Sequence, residues 1–112
     1  MERWTPLIDV ASIPDQRGMV VERAEGCFAV FVVAGVPHVL ENVCPHRGGD
    51  LGEGYVGNGF VYCPLHAWPF ELATGCSPTH PGASVRVFPS RIEAGKVEAQ
   101  LPCAQIAKEG VR

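Results

Sequence analysis

Nothing in this chain is suited to crossing a membrane, gripping a nucleic acid or building a helical bundle. The longest apolar stretch, Cys27 to Val36, falls far short of the about 20 residues that a membrane-spanning helix needs. The opening segment, Met1-Glu2-Arg3-Trp4-Thr5-Pro6, has no apolar run of the signal-peptide kind, so the expectation is a soluble, cytoplasmic protein. Positive charge is also scarce: 9 Lys and Arg stand against 12 Asp and Glu, a net charge of -3, which excludes the basic face that phosphate backbones require. No sustained amphipathic helix is present. Five cysteines could suggest a secreted disulfide scaffold, but the count is odd and no export signal accompanies it; reduced thiols, available to metal, fit better.

The 112 residues include 13 Gly and 10 Pro and are 46% hydrophobic, a composition that suits a single all-β domain of short strands and many turns. Strands are expected over Leu7 to Ile13, Met19 to Arg23, Cys27 to Val33 and His38 to Val43, separated by Gly- and Pro-bearing turns. Phe28-Ala29-Val30-Phe31-Val32-Val33 is apolar without alternation, as expected of a strand buried on both faces. Between Arg47 and Gly59 six glycines fall in thirteen residues, which predicts loop; the stretch lacks the Gly-Lys-Ser/Thr ending of a phosphate cradle. Further strands are expected at Phe60 to Tyr62, Trp68 to Leu72, Val85 to Phe88 and Arg91 to Glu93. A half-buried hairpin strand is expected from Lys96 to Leu101, followed by a tail.

Two short Pro-stiffened loops carry the chemistry. Cys44-Pro45-His46 is followed, sixteen residues on, by Cys63-Pro64-Leu65-His66. Thiolate with imidazole suits zinc, copper or iron-sulfur chemistry and disfavours magnesium and calcium. A structural zinc site of two cysteines and two histidines usually takes a close pair of cysteines and then a close pair of histidines, whereas here each loop offers one of each.

That alternation, Cys-x-His followed by Cys-x-x-His, resembles the signature of Rieske iron-sulfur proteins, and the resemblance runs through Thr74-Gly75 to the closing hairpin near Leu101-Pro102. It implies an antiparallel all-β Rieske domain spanning 1-112, with a small cluster-binding subdomain over about residues 41-83 inserted in a base formed by both chain ends. It also implies one 2Fe-2S cluster, Cys44 and Cys63 holding one iron and His46 and His66 the other. Two imidazoles in place of two thiolates make the oxidised centre neutral, which raises its potential into a range of roughly -150 to +300 mV. High-potential members carry two further loop cysteines and hydroxyl residues near the cluster. The corresponding positions here are Gly49 and Leu65, and Trp68 and Phe70. Fewer donors to the sulfurs imply the low-potential, ferredoxin-like class. Ala67 stands where many relatives have glycine.

The resemblance covers both the ferredoxin components of bacterial aromatic-ring dioxygenases and the small subunit of assimilatory nitrite reductase. The first implies a non-enzymatic one-electron carrier from a flavin-dependent reductase to a terminal oxygenase; the second, a resident subunit of a catalytic complex. A zinc-stabilised interaction module is a further, different reading. Cys27, Cys76 and Cys103 read as small apolar residues, His38 and His80 as ordinary loop or strand histidines, and Trp68 with Phe70 as a hydrophobic cover. Residues 41 to 71 hold Glu41, Asp50, Glu53 and Glu71 against Arg47 alone, an acidic excess that is either a solvated face or a device for steering a basic partner.

Overall fold

The computed structural model describes residues 4-14, 17-43, 49-65 and 67-101. Ten strands form three antiparallel sheets. The first sheet joins the two ends of the chain: β1 (Trp4–Asp9) pairs with β10 (Lys96–Gln100), which pairs with β9 (Ser90–Glu93). The second has the order β2 (Gly18–Arg23), β3 (Gly26–Val33), β4 (Val36–Glu41) and β8 (Val87–Phe88). The third is small: β5 (Tyr55–Gly57), β6 (Phe60–Tyr62) and β7 (Pro69–Glu71). The all-β expectation holds.

Strand β3 organises the molecule. Successive side chains of a strand point to opposite faces, and here both faces are dry. Ala29 and Phe31 enter a core with Leu40, Leu51, Val61, Cys63, Phe70, Leu72 and Val85. Phe28 and Val30 enter another with Leu7, Ile13, Val21, Val39, Phe88, Val97 and Ala99. The lack of alternation in its sequence therefore has the physical cause anticipated for it. Sheet one closes the second core from one side, with Val97 and Ala99 of β10 fully buried.

Three tight hairpins use two-residue loops in which both residues have positive φ: Ala34-Gly35, Asn58-Gly59 and Ala94-Gly95. This is the turn whose twist matches paired strands. Two expectations are corrected. The first strand begins at Trp4 and stops at Asp9, where a 3-10 turn (Val10–Ser12) diverts the chain, so Val10 to Ile13 is not strand. The glycine-rich stretch is not all loop: it contains a 3-10 turn (Leu51–Glu53) and β5, which the Asn58-Gly59 turn folds back onto β6. Leu51 and Gly52 are buried there.

Candidate metal centre

Of the four expected ligands, Cys44, His46 and His66 lie outside the described residues, and Cys63 is described. Cys63 is 2% exposed, in the core beside Val61 and Phe70. It directly follows β6, so the small sheet sets its position.

Both loops are closed at the neck. Val43 and Asp50 form an isolated bridge across the first loop. Beneath it sits Asn42, whose Nδ2 donates to Asp50 Oδ1 at 2.7 Å while its Oδ1 accepts the Gly52 N–H at 2.8 Å. Its backbone carbonyl accepts from Leu51 N–H at 2.8 Å, and its own N–H donates to the Cys27 carbonyl at 3.2 Å. A 1% exposed amide with this set of bonds is a structural rivet. The second loop is closed by Cys63 N–H donating to the Trp68 carbonyl at 2.9 Å and Ala67 N–H donating to the Cys63 carbonyl at 2.8 Å. That geometry puts Ala67 at φ 59, the left-handed region where glycine costs least.

The loops meet at Gly49. A Cβ there would stand 2.9 Å from Cys63 Sγ and 3.1 Å from Leu65 Cγ, so a side chain would have to displace the thiol. The first loop's backbone thus passes directly against the second loop's sulfur. A glycine approach at this spot fits a cofactor shared between the loops, with thiolate as a donor suited to iron. Gly49 and Leu65 also face each other, as the positions of an inter-loop cysteine pair would, but glycine and leucine cannot form that bond.

A third loop packs beside them. The His80 ring stacks on Trp68 with centroids 3.4 Å apart and planes 11° from parallel, and Thr79 Oγ1 lies 2.8 Å from His80 Nδ1. The Cys76–Ser84 bridge and the Ala83 N–H to His80 carbonyl bond, 3.0 Å, hold that loop in shape. Trp68 is half-buried at the edge of the core that holds Cys63, whereas Phe70 lies wholly inside it; the cover is therefore Trp68 with His80, and Phe70 is core. His80 was legible only as a loop histidine, because its partner is twelve residues distant in sequence.

The other cysteines differ. Cys27 is half-buried; burial first, then the Glu22 and Asp50 carboxylates, push its thiol above its ordinary value, against a smaller opposing hydrogen bond with Asn42. It stays protonated at neutral pH. Cys76 is exposed. Cys103 lies outside the described residues. His38, half-buried on β4, is held below its ordinary value chiefly by desolvation, partly offset by a hydrogen bond to the Leu72 backbone.

Residues 3–89 match the family description of the Rieske 2Fe-2S domain. The chain belongs to the Rieske family. The anthranilate 1,2-dioxygenase ferredoxin subunit of Burkholderia cepacia is 32% identical over 105 residues, covering 90% of this chain and 94% of that protein. Among solved structures, the Sphingomonas yanoikuyae B1 ferredoxin superposes with a TM-score of 0.80 at 30% identity, covering 89% of this chain and all of that one. A protein assigned as the NADH-dependent nitrite reductase small subunit of Mycobacterium tuberculosis superposes with a TM-score of 0.84 at 25% identity, covering 92% and 98%. This Rieske chain is of the electron-carrier type rather than a catalyst, and its cofactor is a 2Fe-2S cluster. Among the described residues no helix is long and apolar enough to cross a membrane.

Proposed function

We propose that this chain is a low-potential Rieske ferredoxin that carries single electrons from a flavin-dependent reductase to a terminal oxygenase in the cytoplasm. Cys44 and Cys63 would hold one iron and His46 and His66 the other, within a cluster-binding part of a single domain that runs over about residues 41-83. When bound, such a cluster supplies reversible one-electron redox chemistry. The chain's own residues do the rest: the Asn42 and Cys63 necks fix the loops, and Trp68 with His80 keeps water from one side.

The observation that carries the reading is the meeting of the loops at Gly49, Cys63 and Leu65. Gly49 and Leu65 carry no thiols for an inter-loop disulfide, and apolar Trp68 and Phe70 bring no hydroxyl to the site. With fewer hydrogen bonds to the sulfurs the reduced, more negative state is less stabilised, which lowers the potential. A redox titration followed by paramagnetic resonance is expected to place the midpoint in the lower part of the family range; a value above about +200 mV contradicts the low-potential assignment. His46→Cys adds negative charge and should lower the midpoint further. An unchanged or raised value with an intact cluster would remove His46 from the ligand set.

The closeness of fit to the assigned nitrite reductase small subunit supports a second reading, a resident subunit of a flavin- and haem-bearing enzyme. Stable copurification with a large subunit favours it; a transient, salt-sensitive complex favours the carrier.

A further inference from the structure

The small sheet has two faces, and only one is accounted for by the core. Val56, Val61 and Phe70 point inward and pack against the cluster-side core. By strand alternation Tyr55, Tyr62 and Pro69, cross-strand neighbours, share the outer face, and Gly57, Phe60 and Glu71 form the adjacent row. Tyr55 is 72% exposed. Phe60 and Tyr62 lie with ring centroids 6.5 Å apart. A face of two tyrosines, a phenylalanine and a proline is of the kind found at the centre of protein interfaces, where aromatic side chains give contact area at low entropic cost.

The segment that carries it has charge of one sign. From Gly49 to Gly75 the chain carries Asp50, Glu53 and Glu71 and no lysine or arginine. Asp50 and Glu53 are exposed, and Glu53 stands two residues before Tyr55. Glu71 lies in the row of Phe60, its Oε1 accepting the Thr74 hydroxyl at 2.9 Å. Tyr62 immediately precedes Cys63, whose side chain is on the opposite, buried side. A protein seated here would therefore be about one sheet thickness from the Cys63 sulfur.

We propose that this outer face, centred on Tyr55 and Tyr62 and rimmed by Glu53 and Glu71, is a docking surface for a redox protein that presents lysines or arginines around an apolar contact. The inference rests on the electron-carrier reading and adds where a partner sits and what chemistry it bears. A second copy of this chain is the wrong occupant, because a two-fold self-contact would set Glu53 and Glu71 against like charges.

The probe is a cytochrome c with a lysine-rimmed haem edge, which accepts one electron from the reduced, cluster-loaded protein as its ferric haem becomes ferrous. In stopped flow, Tyr55→Ala is expected to slow this reduction about fivefold or more at every ionic strength. The Glu53→Gln/Glu71→Gln pair should slow it about tenfold at low salt and little at high salt. The control pair Asp9→Asn/Glu93→Gln, at the ends of β1 and β9 in the first sheet, should change it less than about twofold. Midpoint potentials should not move. Wild-type rates in both face variants, or equal slowing by the control pair, would overturn the proposal.

Carbodiimide cross-linking to cytochrome c, read by mass spectrometry, needs no electron transfer. Links from Glu53 or Glu71 support the surface, and links confined to Asp9, Glu93 or Glu98 of the first sheet refute it. A dimer in sedimentation that Tyr55→Ala abolishes assigns the face to a second copy and also refutes it. If the purified protein shows no two-iron absorption spectrum, the electron-carrier reading fails by itself, and the cross-linking still decides the surface.

Discussion

The two cores on either side of β3 are built by different rules. The base core is sheet packed on sheet: β1 and β10 bring Leu7, Val97 and Ala99 against Phe28, Val30 and Val39, and strands supply every inward side chain but Ile13. The cluster-side core is closed instead by backbone brought against backbone or side chain at glycine. A Cβ at Gly75 would overlap the Val85 carbonyl oxygen, one at Gly54 the Tyr62 carbonyl oxygen, and one at Gly49 the Cys63 sulfur. The hairpin glycines Gly35 and Gly95 of the base face open space, and the base glycine that is packed tightly, Gly18, is packed against Phe31 and Gly52 of the cluster side. Among the described residues the buried polar side chains, Asn42 and Ser77, also fall in the cluster-side segment. A base can thus be regular while a site needs short loops pressed together, which only small residues and internal hydrogen bonds permit.

Paired glycine substitutions break this comparison most directly. Gly75 and Gly35 have nearly the same φ, 79 and 80, so Ala at either pays the left-handed strain of about 1 kcal/mol. Only Gly75→Ala adds the collision, and we expect it to lose about 3 kcal/mol or more in urea unfolding while Gly35→Ala loses about 1 kcal/mol. Equal losses would mean that the close approach carries no energy. Next in size is Asn42→Ala, which leaves the Gly52 N–H and the Asp50 carboxylate without their amide partner. A loss of about 2 kcal/mol is expected, together with faster bleaching of the cluster absorbance on warming. Unchanged bleaching would show that the neck of the first loop does not need its rivet.

The same contrast explains what could be read in advance. Strand β3, its burial on both faces and the closing hairpin through Lys96–Gln100 are local patterns of side-chain type, and they were legible. The pair of Cys/His loops pointed to the family, because ligand type and spacing lie close together in the chain, and of the four expected ligands Cys63 lies among the described residues. Strand β5 was hidden because glycine density signals loop, although Asn58-Gly59 beside Val56 and Val61 is a hairpin signal. The 3-10 turn at Val10–Ser12 was hidden because its residues are β-tolerant, and its N–H to carbonyl bond from Val10 to Gly95 is decided by the far end of the chain. Asn42 could have been noticed as the polar residue ending the apolar Val39-Leu40 run just before a ligand loop, where a short amide bonds nearby backbone. The Trp68–His80 stack and the Gly75–Val85 approach had no local signal.

A smaller effect, of opposite sign, sharpens the comparison further. Ala34, Ala67 and Ala94 all have positive φ, between 51 and 59. Glycine at any of them should stabilise by up to about 1 kcal/mol, by relieving strain. Only Ala67→Gly acts on a loop with proposed ligands. It should also slow cluster loss, whereas Ala34→Gly and Ala94→Gly should raise the unfolding midpoint and leave cluster lifetime as it was. If all three act alike on cluster lifetime, the second loop's strain is not localised at the site.

His38 lies between the two regions, on β4 of the middle sheet with its ring bonded to the backbone of Leu72 on the cluster side. Burial disfavours its charged form more than the Leu72 bond favours it, so its folded value lies below the ordinary 6.5. A histidine depressed in this way binds fewer protons folded than unfolded, and stability then rises with pH. Its contribution is complete above about 6.5 and is lost as pH falls from there through the folded value. Urea midpoints measured from pH 7.5 to 5.5 should therefore decline in the wild type. His38→Gln, which keeps a donor for the Leu72 carbonyl and cannot titrate, should flatten this part of the decline. A decline of equal slope in the variant would assign the acid sensitivity to the cluster loops and leave the β4 junction with the rigidity of the base.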